Sequence, residues 1–324
     1  MSILVTGGAG YIGSHVVKDL SDNDFDVITV DNLKKGHKKA VLGGKLIVGD
    51  ITDSEFLKEV FSYNEIEAVV HLAADSLVGE SMENPGKYYH NNFDNGIKLL
   101  DVMLEHGVKN IVFSSTAAVY GEPQQIPIKE DHPIDPTNPY GESKYFFEKA
   151  MERYDKLFDL NYMSLRYFNA AGADLSGKIG EDHDPETHLI PLVLDTALGK
   201  RDKLYIFGND YDTRDGTCVR DYIHVNDLAK AHTLALEALI QGKDSRIYNL
   251  GNGEGYTVRE VIETARRVTN KEIPAENSSR REGDPAVLIA SSAKIRQELN
   301  WQADYPELKK IIETAWNWHK KGGF

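Results

Sequence analysis

Cysteine is nearly absent from this chain, which has only Cys218 among its 324 residues. A single thiol cannot form an intrachain disulfide, so the fold must depend on a hydrophobic core. We interpret Cys218 as a small packed residue, because the sequence around it carries no paired base that would indicate a nucleophile. One thiol is also compatible with a reducing compartment, and we expect a cytoplasmic protein.

Long hydrophobic runs are missing as well. No apolar run approaches the ~20 residues that a membrane-spanning helix requires. The first residues lead directly into a strand-like segment, without the basic and apolar regions of a secretory signal. We therefore expect neither a membrane span nor a signal peptide.

Positive charge is scarce. The chain has 37 Lys and Arg against 51 Asp and Glu, which gives a net charge of −14. An acidic chain repels nucleic acid and anionic membranes, so we expect neither as a partner. Any anionic ligand must be held by local cations or helix N-termini. The remaining composition is that of an ordinary globular protein large enough for one or two domains.

The first half of the chain alternates short apolar segments with longer mixed ones. The short segments are rich in β-branched residues and almost continuously hydrophobic, as strands covered on both faces are. The predicted strands are 2–6, 26–30, 45–48, 68–72, 110–114 and 162–166, and the predicted helices include 11–20, 55–61 and 88–106. This alternation predicts an α/β fold with a doubly wound parallel (Rossmann) sheet.

After residue 168 the pattern loosens, and residues 170–186 have the composition of a loop. We therefore predict two domains, a Rossmann domain over 1–168 and a smaller mixed α/β substrate domain over 169–324. The boundary is soft, because a segment near 223–245 is also compatible with a return to the first domain.

Local signals mark several helix starts. Asn138 followed by Pro139 is typical of an N-cap and a first helical residue. Two pairs match the capping-box pattern, in which a Ser or Thr precedes a Glu by three residues. These pairs are Thr52 with Glu55 and Thr257 with Glu260.

A glycine-rich turn follows the first predicted strand. Gly7, Gly10 and Gly13 stand between that strand and a predicted helix. This spacing allows a tight turn, a close approach of the backbone to a pyrophosphate and close helix packing. The helix N-terminus then presents free N–H groups to the phosphates. Alone, the motif is equally compatible with a structural turn, but the flanking strand and helix favour dinucleotide binding.

Asp31 ends the second predicted strand, near the offset expected of the acid that binds the adenosine ribose. Its carboxylate would accept hydrogen bonds from the 2′-hydroxyl and repel a 2′-phosphate, which favours NAD over NADP. Lys34 and Lys35 weaken this preference slightly, although we interpret them as solvated surface lysines. We predict that the first domain binds NAD.

Tyr140 and Lys144 lie four residues apart on a predicted helix, so they share a face. A tyrosine pKa of ~10 is too high for a base near pH 7, and lowering it by ~3 units takes ~4 kcal/mol. One ammonium at ~4 Å supplies about that much at an effective dielectric of ~20, and the positive nicotinamide ring would add to its effect. Such pairs are common on surface helices, but here a predicted strand leading to Thr116 precedes the pair and can bring a hydroxyl to the same crevice.

Together these motifs resemble those of the extended short-chain dehydrogenase/reductases and, within them, the UDP-galactose 4-epimerases. The resemblance extends from Thr6 to the region of Trp301. The matching segments are VTGGAGYIGSH, DNL, GDI, VGES, FSSTAAVYG, YGESK, LRYFNAAGA, IFGNDY, DGTCVRDYIHV, YNLG and RREGD. The glycine-rich and YxxxK motifs are shared by the superfamily, whereas RYFN, IFGNDY with VRDYIHV, and RREGD resemble the epimerases in particular.

The resemblance implies roles for the matching residues. Tyr140 would remove the 4-hydroxyl proton, Lys144 would tune Tyr140 and hold the nicotinamide ribose, and Thr116 would bond the 4-oxygen. The residues implied to line NAD are Gly7, Gly10, Tyr11, Ile12, Gly13, Asp31, Asn32, Leu33, Asp50, Ile51, Leu72, Ala73, Ala74, Asn91, Ser114, Tyr140, Lys144 and Phe168. Those implied to hold the UDP-sugar are Thr116, Asn169, His188, Leu189, Phe207, Arg220, Arg281 and Asp284.

Three positions depart from the family pattern. Ser76 stands where some members place a lysine near the cofactor, and His188 where some have an asparagine. Leu288 occupies the position implied to control entry of N-acetylated sugars, and it is neither the large tyrosine nor the small residue associated with narrow or broad specificity.

The two arginines suit a diphosphate because they are charge-assisted donors. On spacing alone, Arg220 and Arg281 are also compatible with surface ion pairs to Asp221 and Glu282.

The chemistry explains why such a site needs an oxidant. C4 of a hexose is not acidic, so proton abstraction alone cannot invert it. The resemblance therefore implies reversible epimerisation at C4 of UDP-glucose and UDP-galactose through transient oxidation, by tightly bound NAD, to a 4-keto sugar. Another UDP-sugar 4-epimerase, such as one for UDP-GlcNAc and UDP-GalNAc, stays open.

Two other functions stay open. A 4,6-dehydratase or sugar decarboxylase of the same superfamily is the nearest; dehydration needs a further acid/base pair, and Ala117 and Ala118 follow Thr116 where resembling dehydratases have acidic residues. A non-catalytic NAD-binding regulator would have no need of Tyr140 and Lys144.

A polar segment and two long helices carry further, weaker signals. Residues 181–184 and His188 include metal-ligand types, but we predict a polar loop and no metal, since hydride transfer needs none. The resemblance implies a homodimer, with helices 88–106 and 140–158 as its candidate interface; these helices are equally compatible with merely covering the sheet.

Overall fold

The chain folds around a parallel sheet whose first strand is buried along its whole length. The structure, a computed structural model, describes residues 1–281 and 283–324. The strands of that range are β1 (Ser2–Thr6), β2 (Asp26–Asp31), β3 (Lys45–Val48), β4 (Ile66–His71), β5 (Asn110–Thr116), β6 (Asn161–Tyr167), β7 (Asn169–Ala171), β8 (Leu204–Phe207), β9 (Val219–His224), β10 (Arg246–Leu250), β11 (Gly255–Thr257), β12 (Ala275–Ser278) and β13 (Val287–Leu288).

Helices connect and cover these strands. The α-helices of the same range are α1 (Tyr11–Asp22), α2 (Ser54–Ser62), α3 (Val78–Glu83), α4 (Pro85–Tyr88), α5 (Asn95–Glu105), α6 (Pro139–Phe158), α7 (Leu189–Ala197), α8 (Val225–Ile240), α9 (Val258–Thr269), α10 (Ala293–Leu299) and α11 (Leu308–His319). A π-helix at Tyr89–Asp94 joins α4 to α5, so the helix predicted over 88–106 is divided. Short 3₁₀ helices occupy Lys38–Ala40 and Ala117–Tyr120.

The main sheet has the order β3-β2-β1-β4-β5-β6-β10, and each neighbouring pair is parallel. Strand order reverses between β1 and β4, because β2 and β3 extend one way and β4 to β10 the other. In doubly wound sheets the crevice at such a reversal binds ligands at the carboxyl ends of the strands. The predicted fold class is confirmed.

Helices on both faces of this sheet enclose two apolar clusters. One cluster unites α1 and α8 with the sheet through residues such as Val16, Leu20 and Leu228. The other lies under α2, α5 and α6 and includes Leu57 and Leu100. Burial of apolar surface on both faces explains why the strands read as nearly continuous hydrophobic segments.

The second half of the chain builds a smaller mixed structure. Strand β9 pairs with β7 and β13 in parallel and with β11 in the antiparallel direction, while β8 pairs with β12. Helices α7, α9 and α11 share an apolar cluster over this part, with Val193, Val261 and Ile311 fully buried. This agrees with the predicted smaller mixed α/β part.

The chain returns to the main sheet after β9. Helix α8 packs on α1, and β10 (Arg246–Leu250) forms the edge of the main sheet beside β6. The predicted boundary at residue 168 stays a prediction, but residues 246–250 do not belong to a separate second sheet. The part of the chain that returns to the first domain extends beyond the segment 223–245 that the sequence indicated. It includes β10, whose pairing with the distant β6 leaves no local sequence pattern.

The helix starts follow their capping residues. Asn138 accepts a hydrogen bond from the Gly141 N–H at 2.9 Å, and Thr257 with Glu260 forms both bonds of a capping box. For α2 the prediction is wrong, since Asp53 and not Thr52 caps the helix. The carboxylate of Asp53 accepts from two backbone N–H groups at once.

Across the described residues, no helix is long and apolar enough to cross a membrane.

Candidate active site

Most residues predicted to line the cofactor lie along the carboxyl edge of the main sheet. At or just after the strand ends stand Gly7, Gly10, Tyr11, Ile12 and Gly13 (β1), Asp31, Asn32 and Leu33 (β2), Asp50 and Ile51 (β3), Leu72, Ala73 and Ala74 (β4), Ser114 (β5) and Phe168 (β6). Asn91 lies in the π-helix, and Tyr140 and Lys144 lie in α6. The fold therefore brings residues from six strands to the edge where a dinucleotide would bind.

The turn after β1 requires glycine at two positions. Gly7 has φ of +73°, a conformation that side chains disfavour, and its N–H donates to the Val30 carbonyl at 2.8 Å. A Cβ on Gly13 would stand 2.1 Å from the Gly7 carbonyl oxygen, so α1 can approach the turn only without a side chain there. The turn leaves the α1 N-terminus, which carries no side-chain cap, facing the sheet edge.

Asp31 fixes the neighbouring loops. Its buried carboxylate accepts hydrogen bonds from the Ala9 N–H at 3.0 Å and the Leu33 N–H at 2.8 Å. These bonds join the glycine turn to the end of β2 and hold the acid at the crevice. The position agrees with the ribose-binding role predicted for it.

Beside it, Asp50 collects three donors. Burial raises the pKa of Asp50, but hydrogen bonds from the Thr52 N–H, Lys34 and Asn32 together lower it to about 2. Lys34 Nζ and Asn32 Nδ2 each lie 3.0 Å from Asp50 Oδ2. Lys34 is therefore paired with an acid as well as solvated, which reduces its value as a phosphate ligand.

The segment after β4 is held by Asn92, which the sequence analysis did not identify. Its side chain accepts from the Asp75 N–H at 2.9 Å and donates to the Asp75 carbonyl at 2.9 Å and to Ser143 Oγ at 3.0 Å. Asn91 stands beside it, and Ser76 is exposed. The sequence shows only that Asn92 adjoins the predicted ligand residue Asn91; its burial, which reveals the contact, is seen only in the structure.

Tyr140 and Thr116 meet in the interior. Tyr140 is 8% exposed and Thr116 is 7% exposed, although one comes from α6 and the other from the end of β5. Burial raises the pKa of Tyr140, and a hydrogen bond with the Thr116 side chain partly opposes the rise. In the chain without its cofactor, burial therefore outweighs the effect of Thr116, and the lowering of the tyrosine pKa by Lys144 and the nicotinamide ring stays a prediction.

Lys144 is also buried. Its Nζ donates to the Ser114 carbonyl at 2.8 Å and lies 4.7 Å from the centre of the Phe113 ring. Burial lowers the pKa of Lys144 to about 7, although Glu148 acts in the opposite direction. The charge of this lysine is therefore sensitive to its surroundings near neutral pH.

A buried ion pair supports α6 from behind. Glu148, one turn beyond Lys144, accepts from Arg166 Nη2 at 2.5 Å and from Ser115 Oγ at 2.6 Å. Arg166 Nη1 also donates to Tyr120 at 2.9 Å. The sequence analysis missed this network, although Glu148 continues the face of Tyr140 and Lys144 at the same four-residue spacing.

The predicted UDP ligands come from three segments of the second half. Arg220 on β9 forms an ion pair with Asp284, and the Arg281 guanidinium lies 4.0 Å from the centre of the Phe207 ring. The structure thus pairs Arg220 with Asp284 and Arg281 with Phe207. Guanidinium groups are suited to bind phosphate groups.

The alternative ion pairs predicted for these arginines are wrong for Arg220. Asp221 is fully buried and accepts backbone N–H groups of Asn252, Gly253 and Ala290 instead. A pair between Arg281 and Glu282 lies outside the described residues. Cys218 is buried, and burial raises the pKa of its thiol, which agrees with a packed residue.

The remaining predicted substrate residues lie around the same space. Asn169 Nδ2 donates to the Asp221 carbonyl at 2.8 Å, and Leu189 begins α7. Leu288 pairs with Arg220 in the β13–β9 ladder and packs beside Phe168. His188 instead forms ion pairs with Glu181 and Glu186, which the sequence analysis did not foresee.

Comparison with known proteins identifies the family. The profile of the NAD dependent epimerase/dehydratase family matches residues 3–251. The chain belongs to this family. Its members use NAD, and the cofactor prediction is confirmed at this level.

Relatives within the family are similar over nearly the full length. The chain is 56% identical over 321 residues to the UDP-glucose 4-epimerase of Halalkalibacterium halodurans, covering 99% of this chain and 96% of that protein. A crystal structure of a UDP-glucose 4-epimerase superimposes with a TM-score of 0.98 at 54% identity, covering 100% of this chain and 99% of the other. The Bifidobacterium longum UDP-glucose 4-epimerase in complex with NAD⁺ and UDP gives 0.93 at 39% identity, with both chains fully covered.

These relatives confirm the resemblance seen in the sequence and show that this family member is an enzyme.

Proposed function

We propose that this enzyme interconverts UDP-glucose and UDP-galactose by reversible inversion at C4. The observation that carries the proposal is that Tyr140, Thr116 and Lys144 are all buried at the carboxyl edge of the sheet, where Lys144 Nζ donates to the Ser114 carbonyl two residues before Thr116. Full-length relatives named UDP-glucose 4-epimerase support it.

The residues present fit NAD. The glycine turn leaves the α1 N-terminus open to a pyrophosphate, and Asp31 stands where a ribose diol would be bound. When bound, NAD supplies a positively charged ring that accepts a hydride from C4 and returns it to the 4-keto sugar.

The side chains of the enzyme then manage one proton. Tyr140 removes the proton of the 4-hydroxyl, with Thr116 holding the oxygen, and later returns that proton to the opposite stereoisomer. The protonated form of Lys144 stabilises the phenolate by its charge. Since burial raises the pKa of Tyr140, positive charge beside it is needed to favour the phenolate.

The nucleotide must be held while the sugar turns. Arg220 and Arg281 would bind the diphosphate, and Phe207, Asn169 and Leu189 would line the nucleotide side. Inversion requires that the 4-keto sugar present its other face to the same hydride. A firm grip on UDP and few contacts to the sugar meet that requirement.

The same geometry disfavours a dehydratase. Ala117 and Ala118 begin the 3₁₀ helix after Thr116, where their methyl groups cannot transfer protons. The nearby carboxylate of Glu148 is engaged by Arg166 and Ser115. A 4-keto sugar formed here therefore meets no free acid/base pair for elimination among these residues.

The test is proton NMR of the purified enzyme with UDP-glucose and no added cofactor. We expect UDP-galactose to appear, because the hydride is returned in each cycle and NAD stays bound. A 4-keto-6-deoxy product would indicate a dehydratase, and no change in a sample shown to contain NAD would indicate a non-catalytic protein. Full activity of protein stripped of NAD would contradict the mechanism. A second sample with UDP-GlcNAc measures whether Leu288 admits an N-acetyl group.

We also propose a cytoplasmic homodimer. Three large apolar side chains of α6 are exposed, Phe146, Leu157 and Phe158, and Phe146 stacks with Tyr89 of the π-helix at 6.1 Å between ring centres. Such a surface is suited to a second copy. Light scattering should give twice the chain mass of 36.3 kDa, and a monomer would contradict the proposal.

A further inference from the structure

Four ligand-type side chains converge at the start of α7. Glu181, His183, Glu186 and His188 each offer one ligand atom, and these atoms all lie within 4.8 Å of one another. Glu181 Oε1 is 2.8 Å from His188 Nδ1 and 3.2 Å from His183 Nδ1. Glu186 lies 3.0 Å from His188 Nδ1 through Oε1 and 3.6 Å from His183 Nδ1 through Oε2.

These separations match those around a tetrahedral metal ion. Bonds of ~2.0–2.2 Å from zinc to nitrogen and oxygen place neighbouring ligand atoms roughly 3.4 Å apart. The four contacts between Glu and His range from 2.8 to 3.6 Å, close to that value, although Glu186 makes its two contacts through different oxygens. Two imidazoles and two carboxylates form a ligand set that suits Zn²⁺.

One polar atom of the cluster is poorly satisfied. His183 Nδ1 is sealed from solvent and lies 3.2 Å from Glu181 Oε1, but within the described part of the chain no hydrogen bond of normal geometry reaches it. The Glu181 carboxylate is 5% exposed, and its ion-pair partners among residues 1–281 and 283–324 are the two histidines. Burying a carboxylate and an imidazole is costly unless both are paired, and a cation shared by all four side chains would serve both histidines and both carboxylates at once.

The neighbouring acids do not join the cluster. Asp182 Oδ2 accepts the Phe324 N–H at 3.1 Å, and Asp184 is exposed. Glu186 is held in place because its Oε1 accepts the N–H groups of Thr187 at 2.6 Å and His188 at 2.7 Å. Only some of the acidic residues in this loop therefore point into the cluster, unlike the acids of a uniformly charged surface segment.

We propose that Glu181, His183, Glu186 and His188 bind one divalent cation of the zinc class. Four protein ligands leave no open position, so the ion is structural and takes no part in the hydride chemistry. It would brace the loop between the two halves of the active site. The His183 ring packs edge-on against Tyr11 of the glycine turn at 6.0 Å, and Trp318 Nε1 donates to the Glu181 carbonyl at 2.9 Å.

Metal binding is tested on protein without a histidine tag, dialysed against EDTA and then freed of chelator. Titration with ZnCl₂ against a chromophoric chelator should show one equivalent bound per chain. His183→Gln and Glu186→Gln should each weaken binding at least tenfold. The matched control is His90→Gln, whose imidazole lies 2.6 Å from Asp94 in an exposed pair and which should bind zinc as the unaltered protein does.

A second measurement needs no variant. Co²⁺ added to the metal-free protein should give the strong visible absorption of a tetrahedral site, and saturating Zn²⁺ should raise Tm by about 3 °C or more. Less than one equivalent of zinc, a weak octahedral cobalt spectrum, or equal affinities of the His183→Gln and His90→Gln proteins would overturn the proposal. Each readout is independent of epimerase activity, so failure here leaves the proposed function standing.

Discussion

The hydroxyl of Tyr140 is predicted to be essential for activity but not for stability. Replacing it by Phe removes the group that moves the proton and leaves the buried ring in place. We expect Tyr140→Phe to lower kcat at least ~10²-fold, the usual scale of general acid–base catalysis. The measurement is a coupled assay of UDP-glucose formation, with Tm recorded alongside.

Tyr154→Phe is the matched control, because Tyr154 lies on the same helix and its hydroxyl donates to the exposed Asp101. It should retain the unaltered kcat. If Tyr140→Phe kept near-normal turnover, Tyr140 would have no place in the mechanism.

Lys144 makes a prediction about pH. Its pKa is lowered to about 7 in the folded chain, whereas an unfolded lysine keeps its ordinary value of ~10.5. Below pH 7 the folded protein therefore carries a buried ammonium at full cost, and this cost fades as the pH rises toward 10. Lys144→Met removes the charge, so the stability that this variant gains over the unaltered protein should be about 3 kcal/mol larger at pH 6 than at pH 9.

The lost hydrogen bond to the Ser114 carbonyl costs about 1 kcal/mol at both pH values and cancels in that difference. Urea unfolding of NAD-free protein measures it. Lys149→Met, which removes an exposed lysine paired with Glu152, should show no such pH dependence. If the two variants showed the same pH dependence of stability, burial would not lower the pKa of Lys144.

For individual residues, the sequence predicts which side chains share a helix face but not how burial changes their pKa. The spacing of Tyr140 and Lys144 predicts a shared helix face, and the structure shows both residues buried. The sign of the tyrosine pKa shift was not predictable, because it depends on how completely the fold excludes water. For a related reason the sequence analysis noted ligand-type residues at 181–184 and 188 but did not predict that Glu181, His183, Glu186 and His188 converge, since the loop conformation decides which polar residues meet.

At the scale of elements, α6 depends on its first residue. Asn138 caps the helix that carries Tyr140, with its side chain accepting the Gly141 N–H at 2.9 Å. Asn138→Ala should cost about 1 kcal/mol, because one N–H at the helix start loses its partner. We expect a lower Tm of about 2 °C and a reduced kcat, measured by calorimetry and the coupled assay.

Asn138→Asp supplies the matched control, since a carboxylate caps as well as an amide. It should restore both quantities. Equal losses in the Ala and Asp variants would show that the hydrogen bond is not what matters at this position.

Strands were predicted more accurately than helices. The predicted segments 2–6 and 45–48 coincide with β1 and β3, and the other four differ from the observed strands by at most two residues at either end. Short apolar segments between polar turns mark such strands locally. The division of the helix predicted over 88–106 by a π-helix was not predictable, because it arises from packing and from the tertiary bonds of Asn92.

At the scale of the whole molecule, the two halves are joined where the chain returns from β9 of the smaller part to β10 of the main sheet. β10 completes the main sheet, although it follows β9 of the smaller part by about twenty residues. Its partner β6 lies about eighty residues away in sequence. Such long-range pairing leaves no periodic signal in the sequence, which is why the predicted domain division did not include it.

Asp221 holds this crossing together. It stands on β9 next to Arg220, is fully buried, and accepts the N–H groups of Asn252 at 2.8 Å, Gly253 at 3.0 Å and Ala290 at 3.1 Å. Two of these donors follow β10 directly and the third follows β13. One carboxylate therefore ties the main sheet to the strand that carries a proposed UDP ligand.

Asp221→Asn should loosen that connection. The amide has one acceptor oxygen in place of two, and its NH₂ would face backbone donors, so at least one buried N–H loses its partner at a cost of about 2 kcal/mol. We expect Tm to fall by about 4 °C and KM for UDP-glucose to rise with a smaller change in kcat, because Arg220 is displaced while Tyr140 is not. Asp244→Asn, at a site that is 85% exposed, should leave both unchanged. A variant with normal Tm and KM would show that the halves are held together elsewhere.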